Sequence, residues 1–156
     1  MGWTIGNFYL TESQMRGNAI EVYNYFTEKG WTLNAIAGIL GNMEKESNIN
    51  PGLWQSLKEG NYSGGFGLVQ WTPATNYTNW AAANGYSITD PKGQLYWIDM
   101  ETVEAGQWIE TSDYNITFWG FKTSNAAPDW LASAFLKNFE RAGVEAVSYT
   151  HLRAHE

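Results

Sequence analysis

The sequence contains no cysteine, which excludes disulfide bonds and cysteine-ligated metal sites. Basic residues are also few: nine Lys and Arg stand against 16 Asp and Glu, for a formal net charge of −7. Nucleic-acid binders need clustered basic side chains to contact phosphates, so we expect no nucleic-acid partner. No stretch approaches the roughly 20 apolar residues of a membrane span, and residues 1–10 lack the pattern of an export signal, so we expect no membrane insertion.

The composition is that of a globular protein with an excess of aromatic side chains. The 156 residues are enough for one domain with a buried core, and 44% of them are hydrophobic. Nine Trp, nine Tyr and seven Phe exceed what a core of this size requires. Aromatic rings stack on the apolar faces of sugars as well as on each other. The excess is therefore compatible with a carbohydrate-binding surface, although composition alone favours an aromatic core.

Two helices are predicted in the first third of the chain. Thr11 and Gln14 have the spacing of a capping box, and the helix that they open ends near Gly30. Thr32 caps a second helix, which must end before Pro51 because a residue preceding proline avoids helical geometry. Its apolar face is formed by residues at helical spacing: Leu33, Ile36, Ile39, Leu40 and Met43. This second helix carries the residues of most interest.

The rest of the chain is predicted to be mainly helical with one small β element. Between residues 52 and 72 the helical period gives way to glycines among aromatic residues, which favours a β-hairpin lobe with a mobile loop. Three further helices are expected: residues 74–84, a segment starting at Pro91, and a segment starting at Pro128 or Asn125 and ending at Gly143. Residues 106–125 have no clear pattern. The predicted fold class is α+β, mainly α.

Two glutamates near the end of the second helix are candidate catalytic acids. At about 100° per residue, Glu46 points within about 20° of Ile39, at one edge of the apolar face, and Glu44 lies at the other edge. Glu46 is in the last turn, where unpaired carbonyls disfavour an anion. Partial burial and the helix terminus both raise the pKa of a glutamate there, as a general acid requires. Periodicity alone does not choose between the two glutamates.

Three segments resemble those of a known family. The run from Ala35 to Pro51 contains Gly41-Asn42-Met43, Glu46-Ser47 and Asn50-Pro51, and it resembles the signature of phage tail lysozymes, which are related to goose-type lysozymes and lytic transglycosylases. Residues 65–72 are similar to the second motif of the family, and residues 134–143 resemble its closing helix. The resemblance covers residues 11 to 145 in the right order. It implies a lysozyme-like fold, with the β lobe beside the catalytic helix, and a catalytic role for Glu46.

The resemblance also implies how a substrate is bound, because the second motif of the family lines the cleft. Gly67 would let the backbone approach a sugar, Gln70 would offer its amide to an N-acetyl group or a water, and Trp71 would stack on a sugar ring. Tyr62 and Phe66 are candidate rim contacts. Gln70 and Trp71 also fit an ordinary strand packed on the core, and exposed aromatic residues are common in loops.

The resemblance and the chemistry of Glu46 together predict an enzyme that cleaves peptidoglycan. The expected activity is that of a muramidase, which hydrolyses the β-1,4 bond between N-acetylmuramic acid and N-acetylglucosamine, with Glu46 as general acid and no cofactor. Glu59, Asp99 and Glu101 are conceivable second carboxylates, but no motif places them in the cleft. A lytic transglycosylase acting on the same bond and a non-catalytic tail protein that binds peptidoglycan are the alternatives.

The expected partners are the glycan strands of bacterial peptidoglycan and, in a phage tail, other tail proteins. The expected location is therefore a virion tail or the extracellular cell wall. We predict one catalytic domain over residues 1–147, followed by a segment, residues 148–156, that resembles a non-native read-through peptide. This segment holds both histidines, His151 and His155, for which we expect no native role and no metal site.

Overall fold

The computed structural model describes residues 2–141, and this part of the chain is mainly helical. The helices are α1 Glu12–Glu28, α2 Leu33–Ser47, α3 Thr75–Ala83, α4 Pro91–Ala105, α5 Phe118–Lys122 and α6 Pro128–Phe135. A wider π-helical turn, Leu136–Glu140, continues α6. The predicted helix end at Gly143 and the segment 148–156 lie outside the described residues. Among residues 2–141, no helix is both long enough and apolar enough to cross a membrane.

The helix starts follow the capping residues that the sequence predicts. The Oγ1 of Thr11 accepts a hydrogen bond from the backbone N–H of Gln14, and the side chain of Gln14 accepts one from the backbone N–H of Thr11. Thr32 caps α2 by accepting from the N–H of Ala35 at 3.1 Å. Proline occupies the first position of α4 and of α6, where its missing N–H removes no helical bond. The predicted helices and the mainly α class are confirmed.

The predicted β-hairpin lobe does not form in the described chain. Residues 52–72, called the turn lobe below, contain only two isolated bridges, between Trp54 and Phe66 and between Phe66 and Trp71. Two non-glycine residues at the start of the lobe, Ser56 and Leu57, have φ values of 55° and 59°, and Gln70 has a φ of 53°. Such left-handed residues redirect the chain every few positions, so no extended segment is long enough to pair as a strand.

Helix α2 lies at the centre of the core and packs against α1 and α6. The close approach of α2 and α6 depends on Gly38, because a Cβ there would lie 3.1 Å from the backbone nitrogen of Ala132. One turn further along, the side chain of Asn42 donates a hydrogen bond of 2.8 Å to the carbonyl of Ala132. These two contacts fix the position of α6 relative to the end of α2.

The segment before α1 is tied to the loop after α2 by two buried asparagines. Asn18 donates hydrogen bonds to the carbonyls of Thr4 and Ile49, at 2.9 and 2.8 Å. Asn50 donates to the carbonyls of Gly6 and Phe8, at 2.7 and 2.8 Å. The backbone at both ends of this connection is therefore satisfied by side-chain amides and not by a sheet.

The phenylalanines and tryptophans lie mostly inside the protein. Six of the seven phenylalanines and five of the nine tryptophans are buried, the tryptophans being Trp31, Trp54, Trp71, Trp97 and Trp108. Trp31 stacks on Phe26 with ring centroids 4.1 Å apart, and Trp80 stacks on Trp97 at 4.6 Å. The core interpretation of the aromatic excess is confirmed for most of these rings. Trp119, which is 69% exposed, is an exception.

Candidate active site

A cavity of about 220 Å³ opens where the end of α2 meets the turn lobe, α4 and the π-helical turn. Three carboxyl side chains line it, one from each helical element: Glu46 from α2, Glu101 from α4 and Glu140 from the π-helical turn. Three amide side chains also line the cavity: Gln70, Asn76 and Gln107. Trp71 and Phe139 contribute the aromatic part of the wall. This combination of titratable groups, donors and rings in one concave site is typical of an active site.

Glu46 occupies the last turn of α2, with its side chain partly buried. The helix ends directly after it because Asn48 and Ile49 both adopt left-handed backbone with φ of 57°. Burial raises the pKa of Glu46 above its ordinary value, and the neighbouring Lys45, which is exposed, lowers it by a smaller amount. Glu44 is buried elsewhere and does not line the cavity. The structure therefore separates the two glutamates that periodicity left equivalent.

Ser47 joins the two segments that carry the family resemblance. Its Oγ donates a hydrogen bond of 2.7 Å to the backbone carbonyl of Leu68 in the turn lobe. The N–H of Leu68 donates to Oε1 of Gln94 at 2.8 Å, and Nε2 of Gln94 donates to the carbonyl of Pro51 at the same distance. Gln94 is fully buried, and the sequence analysis missed it. These bonds hold the turn lobe against the end of α2, where Glu46 lies.

Gln70 lines the cavity, but its amide nitrogen is already occupied. Nε2 donates to the carbonyl of Leu53 at 3.0 Å and to the carbonyl of Gly67 at 2.9 Å. Both donor positions of the amide are therefore used to hold the turn lobe closed. Only the side-chain oxygen is left to meet a ligand.

Trp71 lies in the cavity wall and is only 5% exposed. One face of its indole stacks on the ring of Tyr77, with centroids 4.5 Å apart. Its Nε1 donates a hydrogen bond of 3.1 Å to Oε1 of Glu101. The ring is thus packed in the core and presents only an edge to the cavity. Of the two interpretations of Trp71, packing in the core agrees better with this position than stacking on a sugar ring.

The other three predicted contacts do not line the cavity. Phe66, predicted as a rim contact, is fully buried against Trp54, and its ring fills the centre of the turn lobe. Gly67 is also buried, and its missing side chain makes room for Gln94, whose Oε1 would lie 3.0 Å from a Cβ at this position. Tyr62 is 46% exposed and packs edge-on against Trp54.

Of the three conceivable second carboxylates, only Glu101 lies in the cavity. It is 4% exposed, and burial raises its pKa to about 7 despite the hydrogen bond from Trp71 and the nearby charge of Arg141, which lower it. Asp99 lies outside the cavity, where it accepts from Trp31 and pairs with Lys122 at 3.2 Å. Glu59 is exposed on the turn lobe and does not line the cavity.

Glu140 is a third carboxyl that the sequence analysis did not single out. Burial and the charge of Glu46 both raise its pKa well above the ordinary value. The only signal in the sequence was its place in the closing-helix segment, directly after Phe139. An α-helical period gives the wrong direction for the Glu140 side chain, because the chain has a wider π-helical turn here. Such turns are often found at functional sites.

Within residues 2–141, the His, Cys, Asp and Glu side chains form no group of three or more that is arranged to hold a metal ion. The three cavity carboxyls lie on separate elements and are surrounded by amide and aromatic groups.

These features define a mainly helical domain whose cleft, at the end of α2, is lined by carboxyl and amide side chains. The chain belongs to the phage tail lysozyme family, which it matches over residues 17–155. It is 50% identical over 135 residues to Morphogenesis protein 1 of Bacillus phage B103. The alignment covers 86% of this chain and 36% of that relative, so the chain spans little more than a third of the relative's length. The family membership that the sequence motifs indicated is therefore confirmed.

Proposed function

We propose that this domain is a muramidase that hydrolyses the β-1,4 bond between N-acetylmuramic acid and N-acetylglucosamine in peptidoglycan, with Glu46 as general acid. The observation that carries the proposal is the position of Glu46: a carboxyl in the last turn of a helix, partly buried, at the edge of a cleft. Membership of the phage tail lysozyme family supports peptidoglycan as the substrate.

The surroundings of Glu46 favour the protonated form that a general acid needs. Burial penalises the carboxylate, and the unpaired carbonyls at the end of α2 add a partial negative charge beside it. Glu46 therefore holds a proton to a higher pH than an ordinary glutamate does. In the proposed reaction this proton goes to the glycosidic oxygen as the bond to the sugar breaks, and water then supplies the hydroxyl at the sugar carbon.

The cleft offers groups that match a glycan strand. The side-chain oxygen of Gln70 and the amides of Asn76 and Gln107 can exchange hydrogen bonds with hydroxyl and N-acetyl groups. Phe139 and the edge of Trp71 supply apolar surface for the faces of sugar rings. We propose a direct binding role for Gln70 and Trp71 at this wall, while Gly67 and Phe66 act beneath it by packing the turn lobe. Tyr62, exposed on the same lobe, is proposed as a contact for a longer strand.

The proposed setting is a phage tail. The relative from Bacillus phage B103 is named as a morphogenesis protein, and a segment similar to this chain makes up 36% of it. In that setting the domain would act on the host wall and would contact other tail proteins.

The test is the release of soluble muropeptides and new reducing ends from purified bacterial walls by wild-type protein and by Glu46→Gln. The glutamine is nearly the same size as glutamate and carries no acidic proton, so lysis should fall by about 10²-fold or more while circular dichroism stays native. Glu44→Gln is the matched control, because the residue lies on the same helix outside the cavity and should retain most activity.

The products distinguish the alternatives on the same bond. A hydrolase leaves reducing ends, whereas a lytic transglycosylase leaves 1,6-anhydro ends that are lighter by one water. Mass spectrometry of the digest therefore identifies the reaction. Protein that binds walls but releases neither product would instead be a non-catalytic tail component, and activity retained in Glu46→Gln but lost in Glu44→Gln would show that the wrong acid was chosen.

A further inference from the structure

Glu140 has a carboxyl oxygen that lacks a protein partner. Its Oε2 is buried, and none of the described residues makes a hydrogen bond with it. The side chain lines the same cavity as Glu46. A buried carboxylate oxygen without a partner is unfavourable, and protonation of the carboxyl or contact with a bound ligand would reduce that cost.

The backbone that carries Glu140 is held firmly in place. Arg141 donates from its guanidinium to the backbone carbonyls of Gln107 and Asn138. The side-chain nitrogen of Gln107 donates in turn to the carbonyl of Phe139, and the ring of Phe139 stacks on Phe135 at 4.5 Å. The carboxyl is therefore presented to the cavity by a fixed element.

The charged groups around Glu140 favour its neutral form. Glu46 faces the cavity from α2 and Glu101 from α4, both as potential anions, whereas the nearest cation, Arg141, is bound to backbone carbonyls. Burial, together with the charge of Glu46, raises the pKa of Glu140 well above its ordinary value. The neutral form that these surroundings favour is a carboxylic acid, and its O–H can donate a hydrogen bond.

We propose that Glu140 binds the substrate in its neutral form, donating a hydrogen bond from its carboxyl O–H to an oxygen of the sugar held beside Glu46. The proposal rests on the proposed function, since it assigns the ligand as a glycan with hydroxyl and N-acetyl oxygens. A neutral Glu140 has a second effect. When Glu46 gives up its proton, the anion that it becomes faces no second carboxylate from this side of the cleft, so like-charge repulsion does not oppose the transfer.

Two substitutions separate a neutral donor from a carboxylate. Glu140→Gln keeps a hydrogen-bond donor of nearly the same shape, and kcat/KM on purified walls should stay within about threefold of wild type. Glu140→Leu keeps the volume but removes the donor, and it should raise KM about tenfold or more, the effect of one lost hydrogen bond in a buried site. Glu110→Gln, on an exposed loop outside the cavity, is the control for the loss of a surface charge. Melting curves show whether each variant is folded.

Two further measurements do not depend on turnover. In protein with ¹³C-labelled glutamate carboxyls, the signal that disappears in Glu140→Gln belongs to Glu140, and it should keep the chemical shift of a protonated carboxyl at pH 7. Binding of chitotetraose, a tetramer of N-acetylglucosamine, should weaken about tenfold in Glu140→Leu and little in Glu140→Gln, when both are measured by calorimetry in the Glu46→Gln background.

The proposal is overturned if the Glu140 signal titrates near the ordinary glutamate pKa of about 4.3, or if glutamine and leucine at this position impair chitotetraose binding equally. Glu140→Gln that binds normally but loses all turnover would also overturn it, and would instead indicate a carboxylate that acts as a base. Wild-type protein that binds chitotetraose but cleaves no wall would contradict the proposed function, whereas the titration and binding results would still decide the role of Glu140.

Discussion

The indole Nε1 of Trp71 lies 3.1 Å from Oε1 of Glu101, and the hydrogen bond between them joins the turn lobe to α4 along one side of the cleft. Both side chains are buried, at 5% and 4% exposure. The bond survives a change of charge, because a neutral carboxyl and a glutamine amide both retain an oxygen that accepts from the indole. It does not survive the loss of that oxygen.

This relationship predicts opposite outcomes for two changes at Glu101. Glu101→Gln should keep the fold and raise the melting temperature at pH 8, because it removes a buried charge and keeps the acceptor. Glu101→Leu should lower the free energy of unfolding by about 1–3 kcal/mol, the penalty for a buried indole N–H without a partner. Thermal melts of the two variants beside wild type check this. Equal melting temperatures for glutamine and leucine would mean that the bond contributes nothing to stability.

The raised pKa of Glu101 predicts how stability depends on pH. In the unfolded chain the carboxyl titrates near 4.5, and in the folded protein near 7, so the folded state binds the proton more tightly. The resulting stabilisation is complete below about pH 4.5 and is lost as pH rises to about 7, a change on the order of 3 kcal/mol. The shift at Glu140 acts in the same direction. Urea unfolding from pH 4.5 to 8 should show a decline that is shallower in Glu101→Gln, and an equal slope in both proteins would refute this assignment.

The side chain of Gln70 should affect both stability and activity. Gln70→Ala removes the two side-chain hydrogen bonds to the carbonyls of Leu53 and Gly67, which each keep one backbone N–H donor, so the free energy of unfolding should fall by about 1–3 kcal/mol. Displacement of the cleft wall should lower turnover about 10²-fold. Asn76→Ala is the control, because it removes another cleft amide from an exposed position on α3 and should leave the melting temperature nearly unchanged. A Gln70→Ala protein that melts like wild type but is inactive would assign the amide to the substrate alone.

Alanine should destabilise the protein more at Gly67 than at Gly60, although the two glycines have similar backbone angles. Gly67 and Gly60 have φ of 88° and 83°, so alanine is strained at both. At Gly60 a Cβ meets nothing within 4 Å, whereas at Gly67 it lies 3.0 Å from Gln94 and 3.1 Å from Trp71. Gly67→Ala should therefore be more destabilising than Gly60→Ala by about 1 kcal/mol or more. Denaturant midpoints of both variants measure the difference, and a larger effect at Gly60 would contradict the packing described here.

The helices were predictable because their signals are local. A capping threonine such as Thr11 or Thr32, a proline at a first turn and an apolar face repeat within one segment, and they determine where a helix begins and which side it buries. The helical period of α2 also placed Glu46 at the edge of the apolar face. In the structure, Glu46 lines the cavity.

The turn lobe and the rest of the site were not predictable in this way. Left-handed backbone at Leu57 and Gln70 has no marker in the sequence, because glycine is the residue that usually signals it. The structural role of Gln94 depends on its hydrogen bonds with Leu68 and Pro51, which are distant from it in the sequence. Glu140 is the last residue of a π-helical turn, so its side chain points in a different direction from the one that an α-helical period gives.

The hydrogen bonds from Asn18 and Asn50 to the segment before α1 determine where this domain can be cut for use in a fusion protein. The family match begins at residue 17, and an engineered lytic module trimmed to that boundary would lose Thr4, Gly6 and Phe8, whose carbonyls receive the two asparagine amides. The loop that follows Glu46 would then be anchored on one side only. A boundary drawn from sequence similarity would thus separate segments that are hydrogen-bonded to each other. Fusion designs should therefore begin at or before residue 4.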